Sequence, residues 1–139
     1  MTETSTATTS ADQLAVTALT QRVIAAWAEH DAKSFADVFT EDGTMILSGL
    51  FKKGRDDIRQ HMAEAFAGPY QGTRVTGQPI DIKFFCEDSG VLITQGGVLA
   101  PGESEVAAEH AIRASWVVVK QEGQWRLAAY QNSPKGTAA

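Results

Sequence analysis

The sequence predicts an α+β fold, in which a cone-shaped, curved antiparallel sheet packs against three N-terminal helices. Apolar residues recur at helical spacing through the first half of the chain and alternate through the second, so helices precede strands. One strand in the second half is too long to stay flat, and its neighbour carries a Gly-Gly pair; both features favour a curled sheet.

The first helix rests on Leu19, Val23, Ala26 and Trp27, which share one face. His30 and Asp31 close it, and Asp31 is placed to cap a short second helix carrying Phe35, Val38 and Phe39. Thr40-Glu41-Asp42-Gly43 reads as a turn, Thr44 to Ser48 as a short strand and Gly49 to Gly54 as a loop. A third helix follows from Arg55 with Ile58, Met62, Ala65 and Phe66 as its stripe, and Gly68-Pro69 stops it. Ile80, Ile82, Phe84 and Cys86 then alternate with Asp81, Lys83 and Phe85. Val91 to Ala100 is the next strand, where Gly96-Gly97 suggests a bulge or bend. Val106 to Lys120 and Gln124 to Ser133 form a hairpin about the Gln121-Glu122-Gly123 turn.

The 139 residues suit one domain, expected over 11–134, with loose tails at 1–10 and 135–139. At 43% hydrophobic and 21% charged residues the chain can bury a core. A net charge of -5, with no cluster of Lys and Arg, argues against a nucleic-acid partner. No apolar run reaches membrane-spanning length and no secretory start is visible, so the expected location is the cytoplasm, away from membranes. Cys86 is the sole cysteine and reads as a small core residue. His30, His61 and His110 lack ligand spacing, so no metal is expected; no cofactor motif appears, since Gly96-Gly97 lacks a strand-to-helix setting.

Both faces of the long strand are fairly apolar. One carries Ile112, Ala114, Trp116 and Val118, the other Ala111, Arg113, Ser115, Val117 and Val119. Periodicity does not say which face is the core, because a one-residue slip exchanges them.

Four stretches carry a family resemblance: Trp27-Ala28-Glu29-His30-Asp31, the run from Val38 to Thr44, Gly54 to Ile58, and Gly123 to Ser133. Together they resemble the nuclear-transport-factor-2-like superfamily, with its cystatin-like α+β barrel, in the branch of SnoaL-like polyketide cyclases and ketosteroid isomerases. Trp125-Arg126-Leu127 with Gln131-Asn132-Ser133 looks closest to SgcJ/EcaC-type proteins, which implies a role in enediyne antibiotic biosynthesis. In the isomerases three polar groups do the chemistry, and the matching positions here are Leu47, Val23 and Ser115. A leucine cannot act as a general base, so that chemistry is not expected.

The same resemblance orients the sheet. It implies that Arg113, Ser115 and Val117, with Ala128, Tyr130 and Asn132, face the cone. It leaves Trp116, Val118, Trp125 and Leu127 on the convex face as a homodimer interface. The expected ligand pocket comprises Val23, Trp27, Phe39, Leu47, His61, Gln95, Arg113, Ser115, Tyr130 and Asn132. Trp27 and Tyr130 offer flat surfaces, Gln95, Ser115 and Asn132 offer hydrogen bonds, and Arg113 offers a charge. Three readings follow. The chain binds a hydrophobic conjugated molecule, such as a polyene or polyketide intermediate, as an auxiliary protein. Alternatively it is a cofactor-free cyclase, isomerase or hydrolase with His61 as acid or base. A third reading is a dimeric assembly domain.

Overall fold

The computed structural model describes residues 10–136; the expected tail residues 1–9 and 137–139 lie outside the described residues, while Ser10 is already helical. Helices α1 (Ser10–Ala28), α2 (Ala32–Ala36) and α3 (Arg55–Ala67) pack on six strands. These are β1 (Phe39–Leu47), β2 (Leu50–Lys53), β3 (Arg74–Cys86), β4 (Ser89–Leu99), β5 (Ala111–Gln121) and β6 (Gln124–Pro134).

The sheet order is β2-β1-β6-β5-β4-β3. The fold is α+β, as expected, but the sheet is neither antiparallel throughout nor closed. β1 runs parallel to β6, and β2 and β3 are free edges of a curved, open sheet. The parallel pair arises because β1 and β6 are separated by most of the chain, not by a hairpin.

Each helix forms where its apolar stripe can be buried. Val16, Leu19, Ala26 and Trp27 of α1 enter the core, as do Ile58, Met62, Ala65 and Phe66 of α3. Asp31 caps α2, its carboxylate accepting from the Ser34 backbone N–H at 3.0 Å and the Ser34 hydroxyl at 2.7 Å. Those hydrogen bonds, the backbone one foremost, hold the Asp31 carboxyl below its ordinary pKa. Asp12 anchors the other end of α1. Its carboxylate accepts from the Trp125 indole at 2.9 Å and from Lys120 Nζ at 3.2 Å.

Strand boundaries depart from the sequence reading where the ladder decides them. Thr40–Gly43 is not a turn: it is a bulged part of β1, since Phe39 faces Leu127 whereas Thr44 faces Ala129. A Cβ on Gly43 would come within 3.0 Å of the Phe39 side chain, so the bulge needs glycine there. The expected loop 49–54 contains β2, paired with β1 from Thr44↔Lys53 to Leu47↔Leu50. β3 begins earlier than expected, at Arg74, and bulges at 79–81 and 84–86. Those bulges end the simple alternation and leave Cys86 exposed rather than in the core. Its thiol pKa is lowered, chiefly by a hydrogen bond with the Ser89 hydroxyl. β5 begins later, at Ala111, because residues 108–110 form a 3-10 turn that includes His110.

Gly96 and Gly97 sit in continuous pairing with Gly77 and Thr76, not in a bulge. They permit close approach instead: a Cβ on Gly96 would collide with the Thr76 carbonyl.

Candidate functional site

The helices cover the inner face of the sheet, and register determines what lies there. In β5, Ala114, Trp116 and Val118 are buried, while Arg113, Ser115 and Val117 are exposed. The expected parity of β5 is therefore reversed. Trp116 and Val118 belong to the core and are not on the convex face.

β6 contains an irregularity that explains the rest. Val117 faces Ala129 and Val118 faces Leu127, so Ala128 is an extra residue in this pair of strands. Before the bulge the odd residues Trp125 and Leu127 point inward; after it the even residues Tyr130 and Asn132 do. Trp125 and Leu127 are thus core residues as well, and none of the four expected interface residues lies on the outer face. Strict alternation allows only one of the two sets inside, and a single bulge places both there.

A cavity of about 90 Å³ lies between helices and sheet. Of the expected pocket residues, Val23, Trp27, Phe39, Leu47, Tyr130 and Asn132 line it. His61, Gln95, Arg113 and Ser115 do not. His61 stands at the half-buried edge of the α3 stripe, one position before the fully buried Met62, which takes the cavity-lining place. Arg113 reaches sideways on the outer face, donating from Nε to Gln95 Oε1 at 3.3 Å, and Ser115 shares that exposed face. These four corrections follow from the parity of β4 and β5 and from the rotation of α3.

Ladder pairings arrange the inner wall in rows. Ile112, Gly96 and Gly77 form the outermost. Asn132, Ala114 and Thr94 form the next, and Tyr130, Trp116 and Leu92 the one below. Met45 continues the last row from β1. Trp27 closes the helical side, its ring 4.7 Å from that of Tyr70 and edge-on to Phe66 at 5.4 Å. Its indole N–H donates to Thr73 Oγ1 at 2.9 Å, and that hydroxyl donates to the Tyr70 carbonyl at 2.6 Å. Trp27 thus has its polar end satisfied and presents only its ring. His30 is held nearby, with Nε2 at 3.3 Å from the Thr73 carbonyl and its ring against Phe66.

The polar groups of the hollow are few and neutral. Trp116 Nε1 donates to Thr94 Oγ1 at 2.9 Å, and Asn132 Nδ2 donates to Tyr130 Oη at 3.1 Å. Trp116 and Tyr130 also pack edge to face, with ring centroids 5.1 Å apart. Burial raises the Tyr130 phenol above its ordinary pKa, partly opposed by the Asn132 hydrogen bond. Among the described residues, no carboxylate, amine, guanidinium, imidazole or thiol lines the hollow. Among the described residues, no group of three or more His, Cys, Asp or Glu is placed to hold a metal. None of their helices is long and apolar enough to cross a membrane.

A wider groove of about 650 Å³ adjoins the cavity and shares Ile24, Val75, Thr76, Gly77 and Gly96 with it. Val106, Glu105 and Ala111 form its outer rim, together with Gln78 and Gln95.

A SnoaL-like domain model matches residues 8–131, nearly the whole chain. The chain belongs to the SnoaL-like domain family. Among solved structures, this SnoaL-like domain is similar to a Nostoc punctiforme domain of unknown function with a cystatin-like fold. The two are 29% identical with a TM-score of 0.87, over 94% of this chain and 81% of that one. An NTF2-like protein with a cystatin-like fold from Novosphingobium aromaticivorans is 17% identical, with a TM-score of 0.79 over 93% of this chain and 85% of that one. A putative aromatic ring hydroxylase from the same organism is 20% identical, with a TM-score of 0.73 over 95% of this chain and 94% of that one. The latter two likenesses concern the fold alone. Among curated proteins, none matches this sequence.

Sequence reasoning missed Thr94, Trp116, Met45 and Ile112 as wall residues of this SnoaL-like domain. Residue polarity held a usable signal. The face with Ile112, Ala114, Trp116 and Val118 is wholly apolar, whereas its opposite carries Arg113 and Ser115.

Proposed function

We propose that this SnoaL-like domain binds a small hydrophobic molecule, enclosing a compact portion in the cone and leaving the remainder in the adjoining groove. The observation that carries this reading is an aromatic and aliphatic hollow with only neutral polar groups, continuous in its lining with a wider groove. Size divides the ligand. The hollow of about 90 Å³ is smaller than the roughly 150 Å³ cavity that accepts benzene, so an extended molecule must project outward. A polyketide-type intermediate, as the enediyne resemblance implies, suits this division, with a short unsaturated arm inside and the bulk of the molecule in the groove. His61 stands away from the hollow, so acid–base catalysis by His61 is not part of this reading.

Trp27 and Trp116 report on the site. Short polyenes and monocyclic aromatic ketones are expected to quench tryptophan fluorescence saturably. Val23→Phe, which fills the hollow, is expected to abolish that response while circular dichroism stays native. Folded wild-type protein that shows no saturable quenching across the panel contradicts the proposal.

The expected homodimer, relocated by the corrected parity, uses the true outer face. Val117 is 37% exposed, Ile46 38% and Phe51 60%, and the pairings Ile46↔Phe51, Ile46↔Gln131, Ser115↔Gln131 and Ile93↔Ser115 join them in one surface. A face of this many strands measures about 24 by 30 Å, or roughly 700 Å², from ordinary strand spacing. That approaches the roughly 800 Å² per partner of a standard interface. Light scattering is expected to give a dimer that Val117→Lys dissociates; a wild-type monomer at micromolar concentration rules this out.

A further inference from the structure

Two hydroxyls of the hollow, one buried and one half-buried, each accept a hydrogen bond and keep a proton to donate. Thr94, 4% exposed, accepts the Trp116 indole N–H, and Tyr130 accepts the Asn132 amide N–H. A hydroxyl that accepts one hydrogen bond still has its own hydrogen to donate. Among the described residues, no protein acceptor lies within hydrogen-bonding range of either hydrogen. Two other hydroxyls near the hollow differ: Thr20 donates to the Thr17 carbonyl at 2.6 Å and Thr73 to that of Tyr70. Buried donors are nearly always paired, so these two hydroxyls offer their hydrogens to water or, once it is displaced, to a ligand acceptor.

The pairs are mutually braced. Asn132 and Thr94 flank the small Ala114 in one row, and Tyr130 and Trp116 are neighbours in the row below. Each N–H donation polarises the hydroxyl it reaches and makes its hydrogen a better donor. The site also selects on charge. Among the described residues the lining includes no cation, and Arg113 lies on the outer face, where it donates to Gln95. An anionic ligand oxygen would therefore be buried without a counter-charge, which is unfavourable.

We infer that the ligand is a neutral carbonyl compound that accepts hydrogen bonds from Tyr130 and Thr94. The inference rests on the hydrophobic-ligand reading above and adds the ligand's chemical class. An ordinary ketone or quinone meets the requirement; a plain hydrocarbon leaves both donors idle; a carboxylate is excluded.

The test compares acetophenone, ethylbenzene and benzoate on the full chain by calorimetry, with the Trp116 indole N–H resonance as a local reporter. Acetophenone is expected to bind about threefold to tenfold more tightly than ethylbenzene, the range of one net hydrogen bond. Benzoate is expected not to shift the Trp116 resonance. Tyr130→Phe and Thr94→Val should each weaken acetophenone by about threefold to tenfold while leaving ethylbenzene within about twofold. Thr94→Ser, which keeps the hydroxyl, should retain the ketone preference. Equal binding of acetophenone and ethylbenzene overturns the carbonyl inference and leaves the hydrophobic-cavity reading standing. Benzoate binding more tightly than acetophenone overturns the requirement for neutrality. Failure of both neutral compounds to bind overturns the cavity reading, and this inference with it.

Discussion

Replacing Trp116 by alanine separates the observed sheet parity from its reverse. Trp116 is 4% exposed, packs edge-on against Tyr130 and donates to Thr94 at 2.9 Å. An aromatic side chain of this kind buries roughly 150–250 Å², which at about 25 cal/mol per Å² amounts to about 4–6 kcal/mol. That figure is an upper bound, because unfolded chains already bury part of this area. Measured Trp→Ala substitutions in cores cost about 3–5 kcal/mol, and that is the expected loss here. The assay is urea unfolding followed by circular dichroism, with Arg113→Ala and Ser115→Ala as outer-face controls within about 0.5 kcal/mol of wild type. A Trp116→Ala protein as stable as the controls, with only its association state changed, would refute the inward placement.

Other substitutions probe the fold and the hollow separately. Asp12→Ala removes the acceptor of the Trp125 indole and the partner of Lys120, and should cost about 1.5–3 kcal/mol in the same unfolding assay. Gly96→Val drives a side chain into the Thr76 carbonyl, and an overpacking loss of about 1–3 kcal/mol is expected by thermal unfolding. For Tyr130, burial raises the folded pKa above the unfolded value near 10. Below that value both states hold the proton, so stability is unaffected; above it the unfolded state loses the proton first and stability falls with rising pH. Tyr130→Phe should make this decline shallower in urea unfolding between about pH 9 and 11, and an unchanged slope would count against a buried phenol.

The elements were largely legible because each carries its own period. The stripe Ile58, Met62, Ala65 and Phe66 marks α3 and its buried side together. Asp31 announced the cap of α2 by residue type alone. What escaped was set between strands. Nothing local to Ala128 marks it as the extra residue that turns Tyr130 and Asn132 to the same side as Leu127; only its partners in β5 do so. The bulge of β1 at 40–43 likewise looks like a turn until β6 lies beside it. For β5 the residues themselves favoured the correct face, since Arg113 and Ser115 oppose an apolar row. The family resemblance pointed the other way, and polarity was the better guide. The site was half legible for the same reason: Val23, Trp27 and Phe39 follow from helices and core patterning, whereas Thr94 and Trp116 depend on register.

Xenon tests the hollow without assuming any ligand, since an apolar void of adequate size takes up the gas. Diffraction from crystals under xenon pressure should show a heavy-atom peak enclosed by Trp27, Trp116, Leu127 and Tyr130, the residues that wall the cavity. An interior without xenon, filled by those side chains or with the Trp116 ring in solvent, contradicts the account.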